Sequence, residues 1–438
     1  MAKVIEILIA LVMLSIIICI HELGHFLLAK INGVTVTEFS LGMGPRLLSK
    51  KYKGTRYSLK LLPFGGSCMM LGEGEESDAE GSFGTKSVWK RFAIVLAGPL
   101  FNFILAFILS FVILISIGYD PCLVYSVDDS IAASGLREDD IITEYQGHKI
   151  RFGRELSLYE TLDGIGSKDI HITYLRDGKK YKTVYSPVYE QRYYLGIYYS
   201  SNGTLEGNGP LTLTDVIKGG AAEKAGLKKD DRIISVNGTR IETVADFDAY
   251  TAEHPLTDTE MIIGFLRNGK ELETRLTPKF SESYKLGFDY NVNYREKIGV
   301  GKAIVYGANE VEYWIKSVFK SLSYMLHGKA SREDIGGAVR VVDEMSNVID
   351  ESFKTDGLFY AFLNLLNWSV LLSANLGVMN LLPIPALDGG RLFIYIIEMI
   401  RGKKMKPEHE GIINLVGFVL LMILMVFVLF NDLVNIFH

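Results

Sequence analysis

The sequence predicts a polytopic α-helical membrane protein with four spans, a membrane-associated β-hairpin region and a duplicated α+β block. Three observations carry this prediction. Four apolar segments, roughly Val4–Ala29, Phe92–Gly118, Leu358–Leu382 and Ile412–Phe430, reach the length of about 20 helical residues that a bilayer requires. The mean hydropathy of +0.20 is high for a soluble protein. The polar stretch between the second and third segments, about 119–357, contains a repeat in register.

Span one carries polar chemistry inside an oily helix. His21-Glu22-Leu23-Gly24-His25 follows an apolar run from Ile7 to Ile20 that only Ser15 interrupts. Ionisable residues at such depth are costly and mark function. Two histidines at i and i+4 project from one helix face, the arrangement that holds zinc, and the adjacent glutamate is placed to work on a water. Lys3 before an apolar core also has the look of a signal peptide, but no small-x-small cleavage site follows it. Two histidines do not complete a zinc site, so a third protein ligand has to come from elsewhere.

A formal charge of −5 without a concentrated basic domain argues against a nucleic-acid partner. Cys19, Cys68 and Cys122 form no CxxC and no even framework, and read as free thiols without a catalytic role. The loop after span one holds Lys30, Arg46, Lys50, Lys51, Lys53, Arg56 and Lys60, and the loop after span three holds Arg391, Arg401, Lys403 and Lys404. Positive-inside logic puts both loops in the cytoplasm. Both termini and the repeated block then fall outside, and the HExxH lies near the cytoplasmic end of its span.

In the first loop, Phe39–Pro45 and Tyr57–Leu61 have strand character, and Leu62-Pro63-Phe64-Gly65-Gly66 breaks the pattern before Ser67–Leu71. The glycine-rich turns, with Gly42, Gly44, Gly65 and Gly66, predict a β-hairpin sheet beside span one. It reads either as an edge that holds an extended peptide beside the metal or as a connecting hairpin. Span two carries Gly98-Pro99 and Asn102, a helix-loosening pair and a polar group that needs a partner.

In the middle block, Ser134-Gly135-Leu136 recurs as Ala225-Gly226-Leu227, Arg176-Asp177-Gly178-Lys179 as Arg267-Asn268-Gly269-Lys270, and Leu195-Gly196-Ile197 as Leu286-Gly287-Phe288, all at an offset of 91. A unit of that length suits a domain with its own core rather than a solenoid repeat. Lys302–Leu326 is amphipathic, with Val305, Trp314, Ile315, Val318, Phe319, Leu322 and Met325 on its apolar side. It suits either the bilayer surface or packing on the repeats.

Span three ends in Asn380-Leu381-Leu382-Pro383-Ile384-Pro385-Ala386-Leu387-Asp388-Gly389-Gly390. Pro383 and Pro385 forbid a continuous helix there. Asp388 falls at the same depth as His21 and His25, which makes it the best third ligand; capping the next helix is its alternative role.

Together these residues resemble the site-2 protease family of intramembrane zinc metalloproteases, more narrowly the bacterial regulator of sigma-E protease type. The resemblance rests on His21–His25, on Asn380–Gly390 with Asp388, and on Ala97-Gly98-Pro99 with Asn102. The repeats resemble tandem PDZ domains of the circularly permuted bacterial kind. The resemblance implies that His21, His25 and Asp388 hold Zn2+, that Glu22 is the catalytic base, and that Asn380 and the hairpin glycines hold substrate backbone. Gly98, Pro99, Asn102, Pro383 and Pro385 are then structural support. It implies single-pass transmembrane substrates, an upstream site-1-type protease, and a bacterial inner membrane with the PDZ-like domains on the outer side. The domain boundaries read 1–118, 119–205, 206–297, 298–357 and 358–438. Departures from the family pattern are Ser67 after the paired glycines and Ala338 after Gly336-Gly337.

In that reading, Glu22 takes a proton from the attacking water and returns it to the leaving amine. Two other classes compete: a membrane-anchored peptide-binding scaffold with structural zinc, and a metal transporter. The large repeated block and Glu22 beside the histidines speak against transport.

Overall fold

The structure is a computed structural model that describes residues 2–73, 79–200, 209–291, 294–329, 336–355, 357–405 and 407–437. The expected boundary at 205/206 lies outside the described residues. In chain order the helices are α1 (Ala2–Ile31), α2 (Val88–Ile117), α3 (Gly153–Asp163), α4 (Ala221–Lys224), α5 (Val244–Glu253), α6 (Val300–Leu326), α7 (Ala338–Thr355), α8 (Gly357–Leu381), α9 (Asp388–Arg401) and α10 (Pro407–Phe437). The strands are β1 (Val36–Tyr52), β2 (Thr55–Met70), β3 (Cys122–Val127), β4 (Ile141–Tyr145), β5 (His148–Lys149), β6 (Ile170–Arg176), β7 (Lys179–Tyr185), β8 (Val188–Tyr194), β9 (Ile197–Ser200), β10 (Thr212–Val216), β11 (Arg232–Val236), β12 (Thr239–Arg240), β13 (Met261–Arg267), β14 (Lys270–Leu276), β15 (Lys279–Lys285) and β16 (Phe288–Asn291).

Two units are distinguished, one of Met1–Cys122, Arg151–Leu162 and Val292–His438, the other of Leu123–Ile150 and Asp163–Asn291. Among the described residues, the first contains four stretches long and apolar enough to cross a membrane: Ile7–Ile31, Val88–Ile117, Gly357–Leu381 and His409–Asp432. Close helix approach in lipid depends on small residues, because apolar bulk gains nothing by leaving lipid for protein. Gly24 of α1 is such a residue: a Cβ there would stand 2.3 Å from the Ala97 carbonyl oxygen of α2. Gly377 of α8 likewise lies against the Phe103 ring, and Ser373 Oγ donates to the Asn102 carbonyl at 2.8 Å.

Helix α9 is tied to the start of α2 by a buried pair, Arg91 Nη2 to Glu398 Oε2 at 2.6 Å, with the guanidinium 4.8 Å from the Tyr395 ring centroid. Glu398 also accepts the Met405 N–H at 2.8 Å. Glu398→Gln leaves the buried arginine without its counter-charge, so a loss of about 3–5 kcal/mol is expected. Thermal unfolding of the solubilised protein checks it, and an unchanged midpoint would show that the pair contributes nothing to stability. At the other end of the bundle, Asp432 of α10 accepts the Gly337 N–H at 2.8 Å and the Arg340 N–H at 3.3 Å, so a buried carboxylate caps α7 where its dipole favours negative charge.

Helix α6 packs on α2 and α8. The residues it buries are Ala303, Gly307, Glu310 and Tyr313, whereas Val305, Phe319 and Met325 from the expected apolar side are exposed. Small residues let the backbone come close to Phe107, and Glu310 is satisfied by Arg154 of α3. Of the expected apolar side, Trp314 packs with Val311 against Ala106, Val370 and Ala374, and the exposed members point outward, as a position at the bilayer would require.

The hairpin is one long ribbon folded on itself. Phe39 stands opposite both Cys68 and Tyr57, so the first half of β1 is flanked on two sides by β2. The expected break at residues 62–66 is an irregularity within β2 rather than an interruption: pairing shifts there, and Gly65 takes φ +83°. Arg46 reaches back to Glu38 at 2.5 Å and holds that carboxyl well below its usual range, at about 2.

In the second unit two sheets have equivalent strand sets. Asp140 pairs Arg176 as Asp231 pairs Arg267, and Thr183 caps the Ser134 carbonyl as Thr274 caps that of Ala225. The sheet orders are β16-β3-β4-β6-β7 and β14-β13-β11-β10-β9. Each sheet is therefore completed by the last strand of the other copy. The crossing chains, β8 and β15, pair antiparallel with Gln191 opposite Glu282, two positions at the repeat offset of 91. Gln191 Nε2 donates to Glu282 Oε1 at 2.8 Å on that local pseudo-twofold.

Candidate metal centre

A helix fixes the first two residues of the site. His21 and His25 stand one turn apart on α1, both 7% exposed, with ring centroids 4.8 Å apart. The third residue arrives from the opposite end of the chain. Pro383 and Pro385 end α8, Ala386 adopts φ +74°, and α9 starts at Asp388. Gly389 and Gly390 let that turn close on itself, since Cβ atoms there would lie 2.1 Å from the Leu382 carbonyl and 2.5 Å from that of Ile384. Asp388 thus begins a helix and faces the histidines at once.

Asp388 Oδ2 lies 3.1 Å from His21 Nε2 and 3.3 Å from His25 Nε2, and the two Nε2 atoms are 3.2 Å apart. The other ring nitrogens are engaged. His25 Nδ1–H donates to the Ile94 carbonyl at 2.9 Å. The Asn102 side-chain amide lies 3.2 Å from His21 Nδ1. As assigned, its Oδ1 is buried without a donor; turning the amide puts that oxygen on His21 Nδ1–H and leaves Nε2 free as a ligand.

With both Nδ1 atoms protonated, three lone-pair atoms face one another, and Asp388 Oδ2 is buried with no hydrogen-bond donor. Such a cluster asks for a cation. The donor set, two imidazoles and one carboxylate with ligand atoms within 4.8 Å of one another, fits zinc with a fourth position open. Gly98 makes the space: a Cβ there would fall 2.3 Å from His25 Nε2 and 2.8 Å from His21 Cε1.

The cluster lies in a cavity of about 260 Å³ that Glu22, Gly66, Ser67, Cys68, Glu73, Asn380 and Arg391 also line. Glu22 packs against Gly66, where a Cβ would come within 3.1 Å of its Cγ. Of the remaining sequence-predicted residues, Gly65 precedes the cavity wall, while Gly42 (φ +84°) and Gly44 (φ +86°) bend β1 outside it. Asn102 and Gly98 touch the histidines themselves, and Pro385 packs against Gly417 of α10. Ser67, Glu73 and Arg391 were not foreseen as cavity residues. Only Arg391 left a signal, since a helix starting at Asp388 carries it one turn further on the same face.

Comparison with known proteins agrees with this chemistry. The model of the family described as Peptidase family M50 matches residues 9–424. A putative zinc metalloprotease of Clostridium acetobutylicum is 32% identical over 431 residues, covering 98% of this chain and 97% of its own. The zinc metalloprotease RasP of Geobacillus kaustophilus is 30% identical over 444 residues, with 98% and 97% covered. The regulator of sigma-W protease RasP of Bacillus subtilis is 28% identical over 449 residues, with 95% of each chain covered.

Proposed function

As a member of peptidase family M50, the site-2 proteases, the chain is a zinc metalloprotease of regulated intramembrane proteolysis, and we propose that it cleaves transmembrane segments unwound onto the edge of β2. The observation that carries this reading is the convergence of His21 Nε2, His25 Nε2 and Asp388 Oδ2 in a cavity that also holds Glu22 and the Gly66–Met70 edge.

His21, His25 and Asp388 hold the ion, which when bound supplies Lewis acidity at the carbonyl to be cleaved. Glu22 is not among the ligands, so its carboxylate is free to take the proton of the attacking water and deliver it to the leaving amide nitrogen. A substrate helix hides its scissile amide and must be opened first. Its freed N–H and C=O groups then need partners, because lipid offers none. Among the described residues the segment Gly66–Met70 pairs with β1 on one side only; Met70 is taken up by Glu73, and the remaining backbone groups of Gly66–Cys68 supply such partners with Asn380 across the cavity. Substrates are single-pass membrane proteins, prepared by an upstream site-1-type cleavage.

The basic loops after α1 and α9 support a cytoplasmic position for the site. The repeats, PDZ-like in strand and helix order with a late Leu-Gly-apolar element, then lie outside, either as a size gate or as a carboxyl-terminus binder. The decisive test is cleavage of a tethered transmembrane reporter by the reconstituted protein. Hydrolysis that stops on chelation and returns with zinc is expected, with Asp388→Asn losing both zinc and activity. Chelator-resistant cleavage, or full activity in Asp388→Asn, would remove the proposal.

A further inference from the structure

Two charged side chains in the metal cavity have no part in the chemistry assigned above. Arg391 stands one turn beyond Asp388 on α9, and Glu73 closes the turn that follows the edge segment of β2. Arg391 Nη1 donates to Glu73 Oε1 at 2.5 Å, with the two side chains 31% and 20% exposed. Glu73 also grips its own turn: its Oε2 accepts the Met70 N–H at 3.4 Å, and its N–H donates to the Met70 carbonyl at 3.3 Å. The pair therefore joins the end of the Gly66–Met70 edge to the helix whose first residue is the ligand Asp388.

We propose that Arg391 and Glu73 are positioning residues, which set the distance between the substrate-holding edge and the metal ligands. The inference rests on the hydrolase reading and on the edge of β2 as the substrate's seat. The edge is weakly fixed at its upstream end, where Pro63 lacks an N–H, Gly65 takes positive φ and the register shifts. Its downstream end is where Glu73 attaches. Helix α9 offers a firm anchor, because the buried Arg91–Glu398 pair ties it to α2. A strand added to Gly66–Cys68, just upstream of the Met70 groups that Glu73 holds, would inherit its placement from that anchor. Displacement of a scissile carbonyl by about 1 Å costs on the order of 10²-fold in rate. Partial burial also makes this ion pair stronger than one in open solvent.

The test uses the full-length protein with the transmembrane reporter. Glu73→Gln and Arg391→Gln are each expected to lower kcat about 10- to 100-fold with a smaller change in KM and with full zinc content. Arg391→Lys, which keeps the charge, is expected to fall in between. The exchanged double variant, Glu73→Arg with Arg391→Glu, is expected to recover most of the lost kcat, since the link is restored with its polarity reversed. Amide hydrogen exchange across Gly66–Met70 should rise in the single variants and return in the exchange, a readout independent of turnover. Three results would overturn the proposal: single variants within twofold of wild type, an exchange no better than the worse single variant, or unaltered amide exchange in the singles. An inactive wild type would instead sink the hydrolase reading, and the amide-exchange result would still decide this one.

Discussion

Glu22→Gln is expected to bind a full equivalent of zinc and to lose about 10²- to 10⁴-fold in turnover. The substitution keeps the shape of the side chain and its packing on Gly66, but an amide cannot accept the proton of the attacking water. In the proposed site the three ligand atoms come from His21, His25 and Asp388, so metal binding has no reason to change. Zinc analysis and reporter cleavage on the same preparation check both halves. Wild-type turnover in the glutamine variant would take Glu22 out of the reaction.

Gly98→Ala is expected to act on the metal rather than on the proton. A single methyl group there would stand 2.3 Å from His25 Nε2, inside any permissible contact. The imidazoles cannot retreat cheaply, because His25 is held by the Ile94 carbonyl and His21 by Asn102. Displacing held ligands costs on the order of 10- to 100-fold in metal affinity, and activity at limiting zinc should fall in step. A zinc titration of the variant measures this. An unshifted affinity would mean that span two does not shape the site.

The core of the site was legible because each part left a local mark. His21 and His25 have helical spacing in an apolar run, and Asp388 follows a proline pair at matching depth. What escaped depended on contacts between distant segments. Gly98 reads as a helix-loosening residue until the rings of α1 are placed against it, and Asn102 announces a need for a partner without naming His21. Glu73 and Arg391 look like ordinary loop and helix charges. On α6 the large apolar residues stand out, and Trp314 does pack on α2 and α8, but the closest approach, at Phe107, is made by Gly307, since close packing in lipid rewards smallness. The duplication was visible as an offset of 91, but an exchanged and an unexchanged pair of sheets have the same offset.

That exchange has a consequence for how the chain is made. The sheet begun by β3 stays one strand short until Phe288–Asn291 has left the ribosome, so the earlier copy cannot finish before the later one is almost wholly synthesised. Domains ordinarily mature one after another during translation. Here the earlier copy waits for the later, and the two mature as a couple.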